Sequence, residues 1–157
     1  REKILTYIER NSRVDLKDLA IMLGTDEATI ANEIAQMEKE GVICGYHTLI
    51  DWDKTDREYV TAIIELRVTP KRDLGFEGIA ETVMRFEEVE SVYLMSGGYD
   101  LSVVVNGRTF QEVAMFVAKR LSTLDSVIST ATHFVLRRYK EKGVMFLGLE
   151  KDERGVM

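Results

Sequence analysis

The chain has 157 residues, 45% of them hydrophobic and 31% charged, with a formal net charge of −6, which suits one large or two small globular domains with a core of their own. No apolar run approaches the roughly 18 residues that span a bilayer, and a single cysteine, Cys44, excludes a disulfide framework or a cysteine metal cluster within one chain. The acidity is even: residues 1–50 carry six Lys/Arg against nine Asp/Glu and residues 51–157 fifteen against eighteen, so neither part has the basic footprint usual in a nucleic-acid binder.

Arg1 to Arg10 form an amphipathic helix pattern, with Ile4, Leu5 and Ile8 at helical spacing, and not a signal peptide. The chain opens on Arg1 and not on Met, so a few residues are expected to precede it. The expected location is the cytoplasm. After the polar "RNSRVD" comes a second helix, "DLKDLAIMLG", with Asp15 as N-cap, Leu16, Leu19, Ala20 and Leu23 on its inner face and Gly24 at its end. A third follows in "TDEATIANEIAQMEKEG", capped by Thr25 or Asp26, with Ile30, Ile34 and Met37 inward and Gly41 closing it. "VICGYHTLI" has β character.

Two short helices joined by a tight turn containing Gly match helix-turn-helix spacing, and the β segment behind them makes a winged version. The alternative is a small three-helix bundle used for protein contacts. Thr29, Asn32, Glu33 and Gln36 share one face of the third helix. Asn32 and Gln36 can pair with adenine and Glu33 can accept from cytosine. Yet Asp26 to Glu40 hold five acids and one base, which removes the phosphate attraction behind most non-specific affinity. Arg1, Lys3, Arg10, Arg13 and Lys17 can replace part of it.

"LIDWDKTDRE" is a polar connection, in which Trp52 is expected to pack the domains together or touch a partner subunit. "YVTAIIELRVT" alternates, with Val60, Ala62, Ile64, Leu66 and Val68 on one face, and Pro70 stops the strand. A helix is expected in "RDLGFEGIAETVMRFEE" with Phe76, Ile79, Val83 and Phe86 inward. "VESVYLMSGGYDLSVVVNG" reads as two strands joined by a Gly-Gly turn, with Gly97 and Gly98 both expected at positive φ. A second helix, "TFQEVAMFVAKRLSTL", has Thr109 as cap and Phe110, Val113, Val117, Leu121 and Leu124 inward. "VISTATHFVLRR" is the fourth strand.

The order β-α-β-β-α-β is the ferredoxin-like split pattern, an antiparallel sheet with both helices on one face. The other face, expected to carry Thr61, Ile63, Tyr93, Met95, Val104, Ser129, Ala131 and His133 or their alternates, needs a cover, which points to a homodimer packed sheet to sheet. The fold class is α+β: an N-terminal winged helix-turn-helix followed by a ferredoxin-like βαββαβ sandwich domain. The expected divisions are 1–44 for DNA binding, 45–58 as connection, 59–140 for ligand binding and oligomerisation, and 141–157 as tail. In the tail, "GVMFLGL" can add a strand and "EKDERG" is a solvated end. Met22, Met37, Met84, Met95 and Met115 read as core or interface filler. Cys44, His47 and His133 are too dispersed to hold a metal.

"VDLKDLAIMLGTDEATIANEIAQMEKEGVICGY" resembles the N-terminal domain of the Lrp/AsnC family of transcription regulators, also called feast/famine regulatory proteins, and "MEKEGVI" is similar to the family's usual helix ending. The departure is that Asn32, Glu33, Ala35 and Gln36 stand where members often carry Arg or Lys. The resemblance implies a C-terminal domain that dimerises, often assembles to octamers, and binds an amino acid. It also implies a G-x-x-D turn beside the effector pocket, matched here by Gly97 and Asp100. On that basis Gly97, Gly98, Tyr99 and Asp100 are effector candidates: turn N–H groups for a carboxylate, Asp100 for an ammonium and Tyr99 as a wall. Thr130 and Thr132 join them by their hydroxyls, with ordinary β-propensity as the other explanation. A simple hairpin is the alternative for the turn.

No cofactor is expected beyond this small-molecule effector. Sirohaem decarboxylases share the architecture, but the His and Arg expected of them around "SGGYD" are not found, so no enzyme is expected. The partners expected are double-stranded DNA, further copies of the chain and an amino acid, with no membrane. The competing reading is an amino-acid-sensing oligomer with weakened or lost DNA binding that acts through a protein partner.

Overall fold

The computed structural model describes residues 1–70, 72 and 75–147, and the chain divides into two compact units, Arg1–Ile50 and Asp51–Met157.

The first unit holds α1 (Glu2–Arg10), α2 (Leu16–Leu23) and α3 (Glu27–Lys39). Local chemistry sets their ends. The Asp15 carboxylate accepts from the Lys17 backbone N–H at 2.8 Å, and that of Asp26 from Thr29 N–H at 2.7 Å, which satisfies donors that a helix start leaves open. Gly24 ends α2 at φ 70°, a left-handed geometry that costs glycine little. Ile4, Ile8, Leu19, Ala20, Ile30 and Met37 form the core, with Leu5, Leu23 and Ile34 packed against it. Each buries the apolar stripe of its helix.

Beyond α3, Val42 and Ile43 donate to the Met37 carbonyl. The expected β segment there forms no strand among the described residues. Burial, reinforced by a hydrogen bond with Glu38, pushes the Tyr46 phenol up.

The second unit opens with a single 3-10 turn at Trp52–Lys54. Trp52 packs locally there: its ring lies 5.6 Å from that of Tyr59, and the Arg57 guanidinium sits 4.3 Å over it. The sheet contains β1 (Val60–Val68), β2 (Val89–Leu94), β3 (Leu101–Gly107) and β4 (Val127–Phe134) in the order β2-β3-β1-β4, all antiparallel. Ala62, Ile64 and Leu66 of β1 and Leu101, Val103 and Val105 of β3 face the helix layer and are buried. They meet Ile79 and Val83 of α4 (Glu77–Met84) and Val113 and Phe116 of α5 (Phe110–Phe116).

Several expectations change in three dimensions. The helix expected over 72–88 contracts to α4, with Phe76 and Phe86 packed on the core from outside it. Thr109 does cap α5, accepting from Glu112 N–H at 3.0 Å. However, α5 passes into a π turn at Val117–Leu121, which breaks the 3.6-residue period. Within α5 itself, Phe116 is buried one turn beyond Val113. Phe110 stands half exposed, its ring edge-on to Phe134 at 4.8 Å.

Of the five methionines, only Met37 is core; Met22, Met84, Met95 and Met115 are exposed. In the tail, β5 (Lys140–Glu141) and β6 (Val144–Met145) form a hairpin through Lys142 and Gly143, both at positive φ. It straddles the expected boundary at 140. "EKDERG" lies outside the described residues.

The open face of the sheet is mixed and not simply apolar. Ile63, Tyr93 and Met95 are exposed, but Thr61 donates to Asn106, Asn106 donates to Glu90, and His133 Nε2 lies 2.8 Å from Glu65.

Candidate functional site

Two places bring the predicted residues to the surface. On α3, Thr29, Asn32 and Gln36 are exposed while Ile30 and Met37 are buried. Glu33 is different. Its carboxylate receives the Arg1 Nε–H at 2.9 Å, and the same guanidinium also bonds Glu40. Glu40 first, then Glu33, hold the Arg1 guanidinium pKa above its ordinary value. Glu33 is thus paired with Arg1 at the surface of the unit.

The acids of α3 are dispersed around its outward face. The backbone N–H of Thr29 holds the Asp26 carboxyl below the usual aspartate range, and Glu33 and Glu40 share Arg1. By helical period, Glu27 and Glu38 fall on the flank away from Thr29 and Gln36. The outward face consists of Ala28, Thr29, Asn32, Ala35, Gln36 and Lys39, all exposed and without a carboxylate. Lys39 is a candidate that the sequence reading missed. It lies seven residues beyond Asn32 and therefore on the same face, a spacing the sequence does contain. Lys17, in the first turn of α2, and Arg13, in the loop before it, are also exposed.

The second place is the turn between β2 and β3. Gly97 has φ +125°, while Gly98 does not adopt positive φ, so only one of the two glycines is demanded by the backbone. A side-chain carbon at either would meet nothing within 4 Å, so the turn's backbone stands open to approach. Tyr99 and Asp100 are half buried. Asp100 N–H donates to the Leu66 carbonyl at 2.9 Å, and Asp100 Oδ2 accepts from Val68 N–H at 2.8 Å.

Thr130 and Thr132 pair in register with Leu66 and Ile64. They are half buried and share the helix-facing side of β4 with Phe134. Thr130 and Asp100 thus flank Leu66 from opposite sides, with β1 between them. Among the described residues no group of His, Cys, Asp and Glu is arranged to hold a metal ion, and Cys44 donates to the Gly41 carbonyl. No described helix is long and apolar enough to cross a membrane.

A capped helix-turn-helix unit followed by a ferredoxin-like sandwich defines a two-unit transcription regulator with a ligand-binding domain. Comparison with known proteins agrees. The Lrp/AsnC ligand binding domain family matches residues 61–145. An HTH-type transcriptional regulator of Bacillus subtilis, YugG, is 51% identical over 156 residues, covering 99% of this chain and 94% of its own. The leucine-responsive regulatory protein of Haemophilus influenzae is 26% identical over 145 residues, covering 92% of this chain and 87% of its own. A transcriptional regulator of Neisseria meningitidis, solved as its L-Met complex, superposes with a TM-score of 0.72 at 22% identity, covering 88% of this chain and 89% of its own.

The chain belongs to the Lrp/AsnC family. Its named relatives are transcriptional regulators and not enzymes.

Proposed function

We propose that the N-terminal unit binds double-stranded DNA through the outer face of α3, and that the C-terminal unit takes an amino acid at the Gly97–Asp100 turn in an assembly of several copies. The observation that carries the first part is the placement of charge on α3. Its acids are capped, paired or turned aside, which leaves Thr29, Asn32, Gln36 and Lys39 outward. Asn and Gln side chains offer adenine a donor and an acceptor together, and Lys39, Lys17 and Arg13 supply phosphate contacts. With so few cations the affinity per subunit is low, so tight binding comes from linked subunits that engage neighbouring grooves together.

The amino acid is supported by the L-Met complex of the Neisseria relative and by the chemistry of the turn, where glycine backbone is open to a carboxylate. Tyr99 borders it. Thr130 and Thr132 belong to this reading only if packing of copies opens the helix-facing edge of β4. The exposed Ile63, Tyr93 and Met95 favour a homodimer closed sheet to sheet, which can assemble further to an octamer. The effector then acts by binding one assembly state better than another.

The acidity of residues 1–50 favours a second reading, an amino-acid sensor that works through a protein partner. The deciding experiment is binding of the full chain to its own upstream DNA at ~50 and ~200 mM salt, with and without a pool of amino acids. Selective binding with a shallow salt slope supports the DNA reading. A correctly assembled oligomer with no selective binding at either salt supports the sensor.

A further inference from the structure

We infer that Asp100 is a positioning residue: its carboxylate replaces a missing β3 carbonyl at Val68 and so fixes the Gly97–Gly98 turn, instead of meeting an effector's ammonium. This rests on the reading of the turn as the effector site.

Asp100 makes three hydrogen bonds inside the chain. Its N–H donates to the Leu66 carbonyl at 2.9 Å, its carbonyl accepts from Met95 N–H at 2.8 Å, and its Oδ2 accepts from Val68 N–H at 2.8 Å. In an antiparallel pair, alternate residues of a strand direct both backbone groups to the same neighbour. Leu66 and Val68 therefore both face the β3 side of β1. Leu66 has a register partner in Leu101, the first residue of β3.

Val68 has none there, because the chain has already turned away through Gly97 at φ +125°. Its N–H would be left without an acceptor at the half-buried end of the sheet. A carboxylate one residue before the strand reaches that point, and a charged acceptor makes the bond stronger than a neutral one. Among the described residues, the N–H groups of Ser96, Gly97, Gly98 and Tyr99 have no acceptor. The turn thus keeps free donors, while Asp100 ties it to Leu66 and Val68 of β1 and closes it on Met95.

The two roles separate on substitution. Asn keeps an oxygen able to accept from Val68 and loses the charge an ammonium needs; Ala loses both. The full chain, Asp100→Asn and Asp100→Ala are compared by residue-resolved hydrogen exchange without ligand, and by calorimetric titration with each of the twenty L-amino acids. The expected result is a Val68 amide protected in the parent and in Asp100→Asn. In Asp100→Ala it exchanges tenfold or more faster, about the loss of one charge-assisted bond, while Ile64 stays protected. Amino-acid affinity should stay within about threefold in Asp100→Asn and fall about tenfold or more in Asp100→Ala.

Loss of affinity in Asp100→Asn with Val68 still protected would show that the charge meets the ligand, and would overturn the inference. So would an unchanged Val68 amide in Asp100→Ala. If the parent binds none of the amino acids, the effector reading of the turn fails, and the Val68 exchange still decides whether Asp100 holds the turn.

Discussion

Gly107, the last residue of β3, lies against Val113 of α5 so closely that a Cβ at position 107 would stand 2.8 Å from Val113 Cγ2. Val113 is β-branched and buried, so it has no free rotamer into which to retreat. The contact sets how closely the second helix approaches the sheet. Gly107→Ala gains about 0.4–1 kcal/mol by restricting the unfolded chain, but overpacking costs about 1–3 kcal/mol. A net loss of stability is expected, read as a lower urea midpoint at unchanged slope.

The central strand predicts a larger effect. Ile64 is fully buried, with β3 on one side of its strand and β4 on the other. Ile64→Ala should cost about 2–5 kcal/mol, the transfer term plus the cavity left behind. Chemical denaturation of the full chain measures it, and a loss below about 1 kcal/mol would mean that the layer between sheet and helices collapses around the gap.

Asp26 carries a pH prediction. Its carboxyl titrates lower in the folded chain because Thr29 N–H donates to the charged form. In that window the native state binds fewer protons than the unfolded one. Its stabilisation is therefore present above the ordinary aspartate value of about 3.9 and is lost as pH falls through the lower folded value. Asn caps a helix about as well as Asp, so Asp26→Asn should match the parent at neutral pH and lose less stability in acid. Equal acid profiles for the two would remove Asp26 from the account.

The DNA reading separates its side chains by salt. Asn32→Ala and Gln36→Ala should each cost about 1–3 kcal/mol of sequence discrimination and leave the salt slope unchanged. Lys39→Ala should weaken binding to all sequences alike and lower the slope by about 1. Glu33→Ala is a control: Glu33 is held by Arg1, so discrimination should hold. A loss there as large as for Asn32 would return Glu33 to the reading face.

Short-range physics lies open in the amino-acid sequence. The alternation of β1, the caps at Asp15, Asp26 and Thr109, and the left-handed Gly24 each depend on residues within a few positions. So does the order of elements that defines a helix-turn-helix and a ferredoxin-like sandwich, because a period of 2 or 3.6 is written locally. The G-x-x-D spacing is also written there, and with it the position of the second candidate site.

What tertiary structure decided was the partner of each group. Arg1 reaches Glu33 and Glu40 across 32 and 39 residues, and so pairs two of the acids that flank the outward face of α3. Asp100 finds Val68 32 residues back, its carboxylate accepting from the Val68 N–H at the end of β1. Phe116 is buried in the core between helices and sheet, while Phe110 stands half exposed with its ring edge-on to Phe134. In each case the energy belongs to a contact between residues far apart in sequence, where no local period or spacing can register it.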